Sequence, residues 1–195
     1  FALPIGTLAS LPLSGWIVGT LGSKRIAIVA ITLYALLLTG IGYWDSMAAL
    51  MINLVCFGAA GNLLNIAVNT QAVALGKHYE KPIMGAFHGM WSIAGFVGAG
   101  FGALMIDRHI NPLHHFMLVS AVTIVMAIAM APRLIPHGQV EQKKEPLFAL
   151  PDKPLAILGI IAFCAMIGEG ALYDWCGIYM RDVVKTEPRL VGYGF

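Results

Sequence analysis

Gly15-Trp16-Ile17-Val18-Gly19-Thr20-Leu21-Gly22-Ser23-Lys24-Arg25 lies between two long apolar stretches and ends in two adjacent cations. Glycine permits tight reversal and close helix approach, while lysine and arginine hold a short loop on the cytoplasmic side of a membrane. The segment therefore reads as a cytoplasmic connection between two membrane-spanning helices. An ordinary tight loop explains the cations equally well, but not the run of Gly15, Gly19 and Gly22 leading into them.

Composition agrees. Hydrophobic residues make up 58% of the 195 and charged residues only 11%, against roughly 25% charged in soluble domains. Ten prolines and 22 glycines also suit membrane helices, where neighbours re-satisfy a broken backbone. The net charge of +2 sits in the loops, so no nucleic-acid partner is expected. Cys56, Cys164 and Cys176 fall in apolar runs without zinc or disulfide spacing; they read as buried thiols, and neither a metal nor a cofactor is expected. Phe1 opens inside an apolar run and Val191-Gly192-Tyr193-Gly194 starts another, so the chain reads as a piece of a longer polypeptide with no cleavable signal peptide in view.

A helix crossing the hydrocarbon needs about 20 apolar residues. Six spans are expected near residues 1–19, 26–44, 47–72, 82–106, 113–131 and 154–180, making an all-α, polytopic membrane helical bundle. The connections are Gly22 to Arg25, Asp45-Ser46, Gly76 to Lys81, Asp107 to Pro112 and a linker from Pro132 to Lys153. Asp152 and Pro154 read as helix cap and first-turn proline. With the first connection inside, alternation puts eight cations (Lys24, Arg25, Lys77, Lys81, Arg133, Lys143, Lys144, Lys153) in the cytoplasm and four (Arg108, Arg181, Lys185, Arg189) outside.

Polar residues within spans are costly unless they face protein or water. Asn62, Asn65 and Asn69 lie at i, i+3 and i+7 on one helical face. Their amides donate and accept, as binding a polyhydroxylated or amide-bearing solute requires; hydrogen bonding across packed helices would use them as well. Asn53, on the opposite face, reads as packing. Glu169 lies roughly 22 Å along its helix from Pro154, where desolvation favours uptake and release of a proton; a permanently paired or protonated carboxyl that locks helices is the alternative. Tyr173 shares its face, and Asp174 reads as structural, an outer gate or a partner for Arg181. His88, Trp91 and Ser92 stand above a close-packing ridge of Ala94, Gly98 and Gly102. His88 is placed where an imidazole titrates near neutrality or simply packs. His109, His114 and His115 read as a solvated interface rather than a metal site.

Gly15, Gly22, Lys24 and Arg25 resemble the signature loop of the major facilitator superfamily, Gly-x-Leu-Ala-Asp-Arg-x-Gly-Arg-Lys-Arg, which joins the second and third of the family's twelve helices. Gly19 stands where that family has an aspartate belonging to a charge relay, Thr20 replaces its arginine and Ser23 another basic residue. Asn69-Thr70-Gln71, the stretch from Lys81 to Gly95, and Glu169-Gly170-Ala171-Leu172-Tyr173-Asp174-Trp175 are similar to the fucose permease-like branch and its uncharacterised bacterial neighbours. The resemblance implies a partial fold of helices two to seven, six of twelve. Residues 1–131 would be most of the amino-terminal bundle, 132–153 the central cytoplasmic loop and 154–195 the start of the carboxy-terminal bundle.

It further implies a monomeric, multi-pass protein of the cell membrane, the inner membrane if the source is Gram-negative, whose partners are the lipid bilayer, a small-molecule substrate and a proton. Solute recognition would fall to Asn62, Asn65, Asn69, Tyr173 and Trp91, proton coupling to Glu169 and His88, and conformational control to the Gly15, Gly22, Lys24 and Arg25 loop. Gly95 to Gly102 has no proline, unlike the fifth helix of drug antiporters, which favours proton-coupled uptake over efflux of a drug or metabolite, and the branch resemblance implies a sugar-like solute. A non-transporting scaffold would share the composition. No catalytic set is expected, since neither paired aspartates nor a His-Glu-x-x-His helix occurs in the spans.

Overall fold

The computed structural model describes residues 1–79, 83–136, 150–187 and 191, with the Tyr173 side chain outside that description. Among these residues six helices are long and apolar enough to cross a membrane: α1 (Ala2–Leu21), α2 (Ser23–Tyr43), α3 (Met47–Tyr79), α4 (Met84–Asp107), α5 (Pro112–Met130) and α6 (Lys153–Asp182). A single 3₁₀ turn, Ala131–Arg133, follows α5. The all-α bundle expected from the apolar runs is therefore observed. Expected positions at Lys81, Lys143, Lys144, Arg189 and most of the linker lie outside the described residues.

The first connection is shorter than expected. Gly15 and Gly19 belong to α1, Ser23, Lys24 and Arg25 form the first turn of α2, and Gly22 alone joins the two helices. Gly22 has φ 88° and ψ 136°, positive-φ backbone that favours glycine; its N–H donates to the Val18 carbonyl at 3.0 Å and its carbonyl accepts from Ile26 N at 3.2 Å. One residue thus closes one helix and opens the next. α3 also overruns its expected end, reaching Tyr79 and placing Lys77 and His78 in a last turn where cations complement the helix dipole. The Asp152 cap is as expected, accepting from Leu155 N at 3.0 Å with Pro154 in the first turn, and Asn111 caps α5 in the same way, accepting from Leu113 N at 2.8 Å.

The chain divides into two compact units. The first, residues 1–87 and 111–148, is built on α1, α2, α3 and α5. α1 and α3 run parallel, with Gly6 beside Val55, Gly58 beside Leu3, and Ser10 and Ser14 beside Asn62. α2 is antiparallel to α3, pairing Leu37 with Asn53, Tyr34 with Phe57 and Ser23 with Gln71, and antiparallel to α5, pairing Thr39 with Ser120. Small residues make these contacts close. A Cβ at Gly6 would collide with the Val55 carbonyl and one at Gly58 with the Leu3 carbonyl, while the Tyr34 ring lies over Gly61 and stacks on Phe57 at 4.0 Å between centroids. Ala30 and Ala67 are fully enclosed, and Val18, Ile26, Ala27 and Ala67 form the core at the end marked by Gly22.

The second unit, residues 88–110 and 149–195, holds α4 from His88 onward and α6. Most side chains on both helices are exposed, and added Cβ atoms at Gly95, Gly98, Gly168 or Gly170 would meet nothing within 4 Å. The expected close-packing ridge of Ala94, Gly98 and Gly102 is therefore not buried: Ala94 and Gly98 are exposed. The cysteines are corrected too, since Cys56 and Cys164 are exposed and Cys176 is half-buried. Apolar surroundings need not be protein, because side chains on a membrane helix meet lipid without a polar penalty.

Candidate functional site

The three asparagines of α3 share a face but have different partners. Asn62, half-buried, donates through Nδ2 to Ser10 Oγ at 3.0 Å and Ser14 Oγ at 3.1 Å, and Ser10 Oγ donates on to the Thr7 carbonyl at 2.9 Å. Ser14 is only 2% exposed, so this amide fastens α3 to α1. Asn69 Nδ2 donates to Asn65 Oδ1 at 3.0 Å, one turn away on the same helix, with Asn65 exposed. That pairing leaves Asn65 its N–H donors and Asn69 its carbonyl acceptor, so the pair presents both hydrogen-bonding roles outward. Asn53 donates to the Leu37 carbonyl at 2.9 Å and is buried between α3 and α2, in keeping with a packing role.

In the second unit Glu169 is half-buried on α6, flanked by Gly168 and Gly170. Trp175 is 64% exposed and Asp174 is exposed. Arg181 pairs with its neighbour Asp182, Nε to Oδ1 at 2.7 Å and Nη2 to Oδ2 at 3.1 Å, rather than with Asp174. Asp174 lies seven residues before Arg181, about 10 Å along the helix axis, whereas the adjacent Asp182 carboxylate meets the guanidinium in two hydrogen bonds. On α4, His88 and Trp91 are exposed, and the His88 carbonyl accepts from Ser92 Oγ at 3.2 Å. His109 and His114 are exposed, while His115 stacks on Phe116 at 5.6 Å.

A second polar centre was not singled out from the sequence. Gln71, 8% exposed, donates through Nε2 to Ser23 Oγ at 2.8 Å and to the Ile135 carbonyl at 3.0 Å, and its Oε1 accepts from Ile135 N at 2.8 Å. Lys24 Nζ donates to the Leu134 carbonyl at 3.2 Å. These bonds gather Lys24, Arg25 and Arg133 at one end of the first unit, the arrangement expected of cytoplasmic loops. Thr39 Oγ1 donates to Ser120 Oγ at 2.9 Å, and Ser120 Oγ donates to the Ala35 carbonyl at 2.5 Å, joining α2 to α5. The only sequence signal for these centres is a polar residue inside an apolar run, which does not name its partner.

The profile of the Major Facilitator Superfamily matches residues 1–194. The chain belongs to the Major Facilitator Superfamily. An uncharacterised transporter of this superfamily type from Yersinia pestis is 28% identical over 191 residues, covering 98% of this chain and 50% of the relative. An uncharacterised transporter from Sinorhizobium fredii is 31% identical over 197 residues, covering 99% and 52%, and the membrane protein MosC of Rhizobium meliloti is 24% identical over 190 residues, covering 97% and 46%. The chain thus spans about half the length of the curated relatives it matches. No solved structure matches it. Membership in a superfamily of transporters rather than enzymes, with six membrane-length helices, makes this a multi-pass membrane protein.

Proposed function

We propose that this chain is part of a secondary active transporter that moves a small polar, sugar-like solute together with protons by alternating access, in the fucose permease-like branch of the superfamily. The observation that carries the reading is the presence of polar groups inside otherwise apolar spans: the Asn65 and Asn69 pair on α3 and Glu169 on α6. Such groups are expensive in hydrocarbon and mark solute or proton routes. In this reading Asn62, Asn65, Asn69, Trp91 and Tyr173 contact the solute, with Asn62 also fastening α1. Glu169 carries the proton and His88 assists it. Gly15, Gly22, Lys24 and Arg25 belong to the region that changes state. Residues 1–131 and 154–195 would contribute to two bundles joined by 132–153, working as a monomer in the cell membrane, the inner one if the source is Gram-negative.

The test is uptake by the full-length protein in proteoliposomes, screening sugars while a pH electrode records proton movement. Glu169→Gln is expected to abolish proton-driven accumulation while leaving solute exchange measurable. Intact proton-coupled uptake in that variant would remove Glu169 from the mechanism. Solute movement in the reverse direction, driven by inward protons, would favour an efflux antiporter; no movement of any solute would favour a scaffold.

A further inference from the structure

Gln71 makes a set of bonds that the proposed solute and proton route does not use. Its primary amide carries two donors and one carbonyl acceptor, and all three roles are filled: Ser23 Oγ and the Ile135 carbonyl accept, and Ile135 N donates. Ile135 lies beyond the 3₁₀ turn that ends α5, outside any helix, so its backbone groups need partners from elsewhere. The side chain of Gln71 supplies them as a peptide group on a neighbouring strand would. Beside it, Lys24 caps the Leu134 carbonyl at the end of the turn, placing a cation where a helix C-terminus is negative. No carboxylate lies between Gly15 and Arg25 to take up that ammonium, and Leu134 itself packs on the core formed by Val18, Ile26, Ala27 and Ala67.

We infer that Gln71 and Lys24 form a linker latch. The latch seizes the backbone of Leu134 and Ile135 and fixes it to the N-terminal end of α2 and the C-terminal part of α3. The backbone of Leu134 and Ile135 therefore moves with the α2 and α3 ends it is bonded to. The latch stands whether the solute is a sugar or something else, because none of its bonds involves the polar face of Asn65 and Asn69.

Hydrogen–deuterium exchange of the full-length protein in lipid nanodiscs, read by mass spectrometry, tests this. Gln71→Met keeps the length of the side chain but removes every hydrogen bond; it is expected to speed exchange at the Ile135 amide about tenfold while peptides within α5 stay unchanged. Lys24→Met removes only the Leu134 contact and is expected to accelerate the same amide less. An Ile135 amide that exchanges at the free-peptide rate in the unaltered protein, or at an unchanged rate in Gln71→Met, overturns the latch. Acceleration spread evenly across α2, α3 and α5 also overturns it, by making Gln71 a general fold contact.

Discussion

Asn53 of α3 lies against Gly40 of α2 and donates to the Leu37 carbonyl one turn before it, at 2.9 Å. The absent side chain of Gly40 is what lets the amide reach the α2 backbone: a Cβ there would collide with Asn53 Oδ1 and stand 3.1 Å from Cγ. Gly40→Ala is therefore expected to cost about 1–3 kcal/mol as overpacking, and Asn53→Ala roughly 0.6 kcal/mol as a lost interhelical hydrogen bond. The double variant should cost less than the sum, because both changes break one contact. Thermal unfolding in detergent checks the pair; strict additivity would mean the two residues act separately.

Glycines of the first unit should differ sharply in what alanine does. At Gly6 and Gly58 the added carbon meets a backbone carbonyl on the facing helix, which has no rotamer to yield, so alanine should fall at the upper end of about 1–3 kcal/mol. At Gly15 it meets nothing within 4 Å, and alanine should stabilise α1 by up to about 1 kcal/mol through helix propensity. Equal melting temperatures for Gly6→Ala and Gly15→Ala would contradict the parallel close approach of α1 and α3.

Gly22 carries a backbone requirement rather than a packing one. With φ 88° and ψ 136° it sits outside the left-handed helical pocket that asparagine tolerates, so both Gly22→Ala and Gly22→Asn are expected to cost about 1–3 kcal/mol. Urea titration of the reconstituted protein measures this. Recovery by asparagine would show that the α1 to α2 junction relaxes to ordinary left-handed geometry.

Asn62 and its neighbours on α3 should separate in stability and transport assays. Asn62→Ala and Ser14→Ala are expected to be coupled by roughly 0.6 kcal/mol, with about 1.7 as the upper bound for such pairs in membranes. Asn65→Ala, on an exposed site, should change stability by no more than about 0.5 kcal/mol yet reduce solute uptake under the proposed function. A large stability loss from Asn65→Ala with unchanged uptake would reverse these roles.

Much of the bundle was legible in the residues. Apolar runs long enough to span a bilayer located all six helices, Asp152 and Pro154 marked where α6 begins, and the glycines with Lys24 and Arg25 located the α1 to α2 junction. The junction is smaller than its glycines suggest because helical glycine and turn glycine look alike in sequence; among the described glycines only Gly22 takes a positive φ, while Gly15 and Gly19 continue the helix. Lys77 and His78 read as loop because charge suggests solvent, yet α3 carries them past the apolar stretch as its last turn.

The sequence by itself determined the helices, their alternation and the polar residues that interrupt their apolar surfaces, since bilayer thickness and the helical repeat turn linear spacing into length and face. Only the tertiary structure decided what each polar residue holds. Asn62 answers to serines 52 and 48 positions away, Gln71 to a backbone 64 positions away, and Ser120 to a carbonyl 85 positions away, whereas Asn69 answers to Asn65 on its own helix. A side-chain amide has the same chemistry in each setting. Its role is set by which group stands within about 3 Å of it, and that neighbour is chosen by helix packing, not by spacing along the chain.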